Sequence, residues 1–548
     1  MTDVDLVLLD CSSIQRYVFG SNKLKSNIGA SFIVEKIYER WVPATLVELF
    51  GKGSPEVKIF GDWKETPAVL CIALSPGLRY ETGYIGGGNA LLIFLRNEQK
   101  WAEKFIQIWS RMLLLNAPGL IPAIACLPAV VSENDISRDD IDRVFVELNR
   151  NKSKYQPQTV LDRHGITAEC HYTGFSAEVF FKDENEQGGS WISASAKSKL
   201  DAAYPANLAL QEKYKFLLDD KSGKPFAFSN DTENLGNIEG ESSLIAIVHI
   251  DGNNMGAEFQ KCTGLIERRE LSIKVDNKTQ SAMSRTLQLL LEKMPVLDQY
   301  EMQTQNRHFF QWKDSKSGKK YLPVRPIILN GDDITFICDA RISLYLAETF
   351  MKAFAEEPID LKFGNDKKRS IKLSSCAGIA IVKSKYPFYR AYRLAEDLCS
   401  HAKRKGRVDG TSWLDFQVAL TGISGDLDTL RSSYERSGYS LLWRPWQMNT
   451  DKSEESFIRL KKAMKALWNW PNNKRHELGR ALEDGTEATK ALLTALSSRD
   501  LKLSEWESIS GLKSTGWCVR GNEGSMTPYF DVLEAMDFYP QILLEKEV

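Results

Sequence analysis

Nowhere does the sequence hold the roughly 18 consecutive apolar residues that a bilayer span requires, so membrane attachment would need a partner. The nine cysteines (Cys11, Cys71, Cys126, Cys170, Cys262, Cys338, Cys376, Cys399 and Cys518) include no CxxC pair. An odd, scattered set argues against a disulfide framework and fits a reducing cytoplasm. Net charge is lacking too: 71 basic residues offset 72 acidic ones, leaving −1, so no whole-protein field draws in nucleic acid or an anionic membrane. Any site for a polyanion must be local. The opening MTDVDLVLLD has acidic residues where a secretory signal needs basic ones and runs into a strand pattern, so the N-terminus is expected to be structural.

What is present is the material of several cores. A chain of 548 residues exceeds one ordinary core, and 43% hydrophobic with 26% charged residues is the profile of a soluble globular protein. Two stretches share one design. Leu6 to Leu9 and Leu244 to Ile250 are apolar runs, each ending at an aspartate, Asp10 and Asp251, and each followed by helical periodicity. Further on, Tyr84 to Phe94 and Ile328 to Ile337 each read as two strands joined by a tight glycine-containing turn. The separation from Asp10 to Gly88 nearly equals that from Asp251 to Asp332, which points to a duplicated domain.

Each copy then closes with a strand and an amphipathic helix: Ile121 to Val131 before Ser137 to Lys154, and Lys372 to Val382 before Pro387 to Lys405. Both suggest a β-α-α-β-β-α-β unit with helices on one face. Lys221 to Glu241 is rich in Gly, Asn, Asp and Ser, which sets a boundary near Ser242. After Trp413 to Phe416 come helical stretches such as Glu454 to Trp470 and His476 to Leu496. The expected fold class is α+β: a first β-α-α-β-β-α-β unit over 1–150, an intervening α/β domain over 151–243, a second such unit over 244–420 and a helical domain over 421–548.

Phosphoryl transfer needs hard oxygen ligands, best supplied by carboxylates on adjacent strands that can hold two cations about 3.5–4 Å apart. Asp251 at a strand end and Asp332 and Asp333 in a hairpin turn offer this for Mg²⁺ or Mn²⁺. Gly252 could lend its carbonyl and leave room for a phosphate. The first copy has Gly88 and Asn89 in place of the acid pair and is expected to be catalytically silent; Asp10 alone reads as a turn or cap residue. Taken by itself, Asn330-Gly331-Asp332-Asp333 is also ordinary turn chemistry, and its pairing with Asp251 is the informative part.

These residues resemble the large, palm-containing polymerase-cyclase subunit of type III CRISPR effector complexes and, more distantly, GGDEF diguanylate cyclases. The resemblance is carried by Ser13 to Ser31, by Ile250 to Gly256, by Leu322 to Asp333 and by Ala377 to Arg407. Asn330 replaces the first glycine of the family's GGDD hairpin. The resemblance implies two ferredoxin-like palms and conversion of ATP into cyclic or linear oligoadenylate messengers in antiviral defence. It also implies that Lys403 contacts the triphosphate; Gly252, Asn253, Asn254 and Gly331 are the further candidates for the nucleotide site. Lys403 is equally placed to complement a helix C-terminus, and Asn253 and Asn254 to shape a turn. The family's HD nuclease domain is not expected, because none of His164, His171, His249, His308, His401 and His476 is followed by aspartate and the chain opens at the first palm. Cys170-His171 alone does not make the four-ligand spacing of structural zinc.

Two other functions remain open from sequence. One is a scaffold in an RNA-guided complex whose palms bind nucleotide or hold partner subunits and whose Lys461, Lys462, Lys465, Lys474 and Arg475 contact RNA backbone or a small helical subunit, charges that equally suit a solvated helix face. The other is a dinucleotide cyclase acting as a homodimer, since one active palm must find its second nucleotide somewhere.

Overall fold

Leu6 to Leu9 is apolar throughout, and Ile245 to Ile250 at every position but His249. Side chains alternate along a strand, so such runs must be covered on both faces. The computed structural model places each run between two antiparallel partners inside a sheet. It describes all residues except 76, 133, 155–164, 183–187, 220–224, 236–242, 311–314, 316–317, 364–366, 421–425, 437, 505, 507–508, 510, 520–523 and 546–548. His164, the boundary at Ser242 and much of the expected linker from Lys221 to Glu241 lie outside the described residues.

In the first sheet, β1 (Thr2–Ser12) lies between β3 (Asn89–Leu95) and β4 (Ile121–Ser132), with β2 (Tyr80–Gly86) outside β3. Helices α1 (Leu24–Glu39) and α2 (Trp101–Asn116) cover one face, joining Val7 and Leu9 to Ile28, Ile33, Phe105 and Trp109. Helix α3 (Arg138–Lys154) covers the other, where Leu6 and Leu8 meet Ile141, Val144 and Leu148. Each such buried side chain contributes about 1.5–3 kcal/mol relative to exposure. In the intervening segment, α4 (Ala194–Lys213) lies so close to α1 that a Cβ on Gly29 would sit 1.7 Å from the Lys199 carbonyl oxygen.

The second sheet repeats the order. β5 (Leu244–Gly252) lies between β7 (Asp333–Asp339) and β8 (Ser375–Lys383), with β6 (Val324–Asn330) outside β7; beyond β8 the sheet continues through β9 (Trp413–Ala419), which runs parallel to it. Both four-strand units are ferredoxin-like, a hairpin beside the first strand and the last strand on its other flank. Helices α5 (Leu265–Gln305) and α6 (Ser343–Ala355) pack against Ala246, Val248 and Ile250. Helix α7 (Phe388–Asp409) packs on the opposite face against Ile245 and Ile247. Helices thus cover both faces of each sheet rather than one, because both alternating sets of the central strand are apolar.

The C-terminal part is helical, with α8 (Phe457–Trp468), α9 (Asn472–Glu483), α10 (Thr486–Ser497) and α11 (Tyr529–Met536), and it includes a small sheet of four two-residue strands. The stretch from His476 to Leu496 is two helices instead of one, broken where Gly485 takes a φ of 100°. Its apolar residues join the core of the second sheet: Leu460, Met464 and Tyr539 share a cluster with Val248 and Phe350. Among the described residues, no helix is long and apolar enough to cross a membrane.

Candidate functional site

The antiparallel register of β5 and β7 sets Asp251 directly opposite Asp333. Asp332 follows the turn at Gly331, whose φ of 60° is the left-handed conformation a tight hairpin needs. The Asp332 carbonyl accepts from the Gly252 amide at 3.0 Å, so the three acids stand at one end of neighbouring strands. The space over Gly252 is taken by the Asp332 side chain, whose Cβ would lie 2.8 Å from a Cβ built there. The glycine therefore admits the acid itself, which is a different reason from the phosphate approach expected from sequence.

Helix α7 lays Tyr392, Glu396, Cys399 and Lys403 along one face, at the spacing that brings side chains of successive turns together. Lys403 forms an ion pair with Asp251 Oδ2. Tyr392 stacks on Phe19 with ring centroids 3.6 Å apart, which ties the short helix Ile14–Phe19 after β1 to the helix that carries Lys403. His249, two residues before Asp251 on the same strand face, places Nδ1 3.1 Å from Thr335 Oγ1 and 3.6 Å from Asp333 Oδ1. Burial holds this imidazole below the ordinary histidine range. Sequence reasoning passed over His249, Tyr392 and Glu396; the periodicity from Lys403 back through Glu396 to Tyr392 was the available signal.

Burial, and next the Asp251 charge, push the Asp332 carboxyl up to about 7. Burial, followed by Asp251 and Glu396, does the same to Asp333. Asp333 Oδ1 is shielded from solvent and accepts no hydrogen bond among the described residues. Raised acids and an unsatisfied carboxylate oxygen describe a site short of positive charge, and oxygen donors of this kind suit a hard divalent cation. Among the described residues no three His, Cys, Asp or Glu side chains converge into a ready-made ligand cluster. The positive charge beside these acids is Lys403, which would compete with a cation for Asp251 Oδ2.

The two asparagines have different roles. Asn253 is 7% exposed, and its amide nitrogen donates to Ser374 Oγ at 3.0 Å and to the Thr411 carbonyl at 2.9 Å. That ties the end of β5 to the segments entering β8 and β9 and leaves no amide hydrogen for a base. Asn254 takes a φ of 58° and starts the short helix Met255–Gln260 from an exposed position, which is turn chemistry.

In the first sheet Asp10 is no simple cap. Its Oδ2 lies 2.7 Å from Lys152 Nζ on α3, the position that Lys403 on α7 holds toward Asp251. The Asn89 side chain accepts from Tyr84 Oη at 2.7 Å, so this copy has no acid pair in its hairpin.

Residues 244–411 match the family model of the second palm domain of Cas10/Cmr2. No curated protein matches the chain. Solved structures to which the chain is similar include a Csm1–Csm4 cassette in complex with cA4, at 13% identity over 78% of this chain and 55% of that chain with a TM-score of 0.42. A Csm1–Csm4 cassette in complex with pppApApA matches at 12% identity over 97% of this chain and 69% of that one, TM-score 0.49. Csm1 of T. onnurineus matches at 12% identity over 98% and 69%, TM-score 0.47. The chain spans about 55% of the length of the first of these. Over residues 244–411 the chain is similar to the second palm domain of Cas10/Cmr2, and its resemblance to the palm-containing large subunit of type III CRISPR complexes rests on that stretch.

Proposed function

We propose that this protein is a metal-dependent nucleotidyltransferase that joins ATP into cyclic or linear oligoadenylates. Asp251, Asp332 and Asp333 would hold Mg²⁺ or Mn²⁺, and Lys403 would turn from Asp251 to the triphosphate. The observation that carries this reading is the pairing of Asp251 with Asp333 across β5 and β7, with Asp332 beside them, inside the stretch that matches a second palm. When bound, the cation would acidify the attacking ribose hydroxyl and offset charge on the triphosphate and the departing pyrophosphate.

The protein's own groups do the rest. Gly252 leaves the space that the Asp332 side chain fills, and Asn253 fixes the loop beneath the acids. Lys403 supplies a mobile positive charge within reach of Asp251. The first palm, whose Asp10 is paired with Lys152, would present the acceptor nucleotide, since its hairpin turn abuts the Gly331 turn: a Cβ on Gly331 would lie 3.7 Å from Gly87 Cα. The match of residues 244–411 to a Cas10/Cmr2 second palm supports action within an RNA-guided complex with partner subunits and RNA.

Incubation with labelled ATP, GTP, CTP and UTP plus Mn²⁺, beside the Asp332→Ala/Asp333→Ala variant, tests the proposal. Product from the wild type alone supports it; no product from either, with partner subunits and target RNA supplied, sinks it. One observation favours a second reading, a nucleotide-binding scaffold: Lys403 already neutralises Asp251, as a palm that holds no metal would require. Nucleotide binding without turnover under those same conditions would select it.

A further inference from the structure

Both hairpins carry a bulge at the same place. The register shifts between Thr82 and Tyr84 in the first and between Pro326 and Ile328 in the second, so Gly83 and Ile327 are the extra residues. A bulged residue loses its ladder partner and leaves its backbone groups seeking another. Each finds it in the opposite half of the molecule. Ser31 Oγ on α1, a helix of the first palm, donates to the Ile327 carbonyl at 2.6 Å. Arg269 on α5, a helix of the second palm, donates through Nε to the Gly83 carbonyl. The rest of that buried guanidinium is spent alongside, on the Val69 carbonyl and Glu81 Oε1, both at 2.9 Å, and on the Thr82 carbonyl.

The same two helices also hold their own hairpins by the turn. Tyr38 Oη, two helical turns beyond Ser31, donates to the Gly88 carbonyl at 2.8 Å. Thr279 Oγ1, about three turns beyond Arg269, donates to the Gly331 carbonyl. Each helix thus grips its own turn and its neighbour's bulge, and the two turns meet where Gly331 faces Gly87.

We infer that this crossed grip fixes how the two hairpin turns face each other, which makes Ser31 and Arg269 positioning residues for bond formation between nucleotides held one on each palm. The inference rests on the function proposed above. Neither side chain touches the acids at the Asp251 end. Losing a bulge contact would tilt a hairpin by a fraction of its length, and small misalignments of reacting groups are costly to rate.

The test uses the full chain, with partner subunits if the wild type needs them, in the variants Ser31→Ala, Arg269→Lys and Ser31→Thr. Turnover at saturating Mn²⁺·ATP should fall about ten- to a hundredfold in the first two. Affinity for Mn²⁺ with a non-hydrolysable ATP analogue should stay at the wild-type value, and Ser31→Thr, which keeps the hydroxyl, should restore turnover. Wild-type turnover in Ser31→Ala and Arg269→Lys, or an equal loss of affinity and rate, would overturn the inference. A wild type without product rejects the proposed function instead. Amide exchange of residues 324–335 in Ser31→Ala then decides the grip: faster exchange upholds it and unchanged exchange removes it.

Discussion

Lys152 Nζ lies 2.7 Å from Asp10 Oδ2, so the first palm keeps the contact between strand-end acid and helix lysine that Lys403 makes with Asp251 in the second. The pair is therefore a property of the duplicated fold. What separates the two halves is the hairpin turn, Gly88-Asn89 in one and Asp332-Asp333 in the other, and the predictions follow from that difference.

Asp332→Asn and Asp333→Asn, made singly, should each lower turnover at least about a hundredfold, since removal even of groups that only support a metal ligand costs ten- to a hundredfold. Their thermal midpoints should match or exceed that of the wild type, because each substitution removes one of a set of repelling charges. Initial rates and calorimetry on the same preparations check both halves; a variant with wild-type turnover would remove these acids from the chemistry.

Without divalent metal, stability should depend on pH through the same two acids. Their folded values near 7 exceed the ordinary carboxylate value of 3.8, so the folded state binds more protons than the unfolded one between those limits. Stability then falls as pH rises through that window. Compared at pH 5 and pH 8 by urea unfolding in EDTA, Asp332→Asn/Asp333→Asn should gain on the wild type at the higher pH. Solvent reaching the partly exposed faces of these groups reduces the expected difference to roughly 1–2 kcal/mol. Equal pH profiles would contradict the charge crowding.

Lys403 competes with any cation for Asp251, so Lys403→Ala should tighten Mn²⁺ binding in the absence of nucleotide. With nucleotide the sign reverses: KM for ATP should rise roughly tenfold as a charge-assisted phosphate contact is lost. Mn²⁺ titration by electron paramagnetic resonance and steady-state kinetics measure the two. Weaker metal binding in the variant would show that the lysine does not block the site.

Away from the site, Arg444 and Asp531 form a buried pair, with Arg444 Nη2 2.7 Å from Asp531 Oδ1. Asp531 Oδ2 also accepts from the backbone amides of Trp443 and Arg444 and from Trp446 Nε1. Arg444→Met leaves that carboxylate buried without its cation and should cost about 3–5 kcal/mol. Urea unfolding gives the number, and a loss below about 1 kcal/mol would mean the aspartate is neutral or hydrated.

Much of this was legible in the residues themselves. Val-, Ile- and Leu-rich runs ending in aspartate announce buried strands, and a glycine turn followed by two acids announces the hairpin opposite them. Strand-end aspartates, glycine hairpins and their nearly equal spacing aligned the two copies. The neighbours of the acids were hidden for a physical reason: His249 sits in an apolar strand, where only the register with Thr335 and Asp333 gives it a partner. Asn253 suits a nucleotide or a turn equally in sequence, because its amide can bond to either; that it clamps Ser374 and Thr411 depends on contacts more than a hundred residues away. The bulges are likewise silent in sequence, since an extra residue leaves no mark until two strands are laid side by side.

The grips of α1 and α5 land on main-chain oxygens at Gly83, Gly88, Ile327 and Gly331, and every amino acid supplies a carbonyl. A joint built on the backbone is indifferent to what the accepting positions carry as side chains. One arm of a duplicated protein can shed its acids, or acquire others, while the seam between the arms keeps its fit.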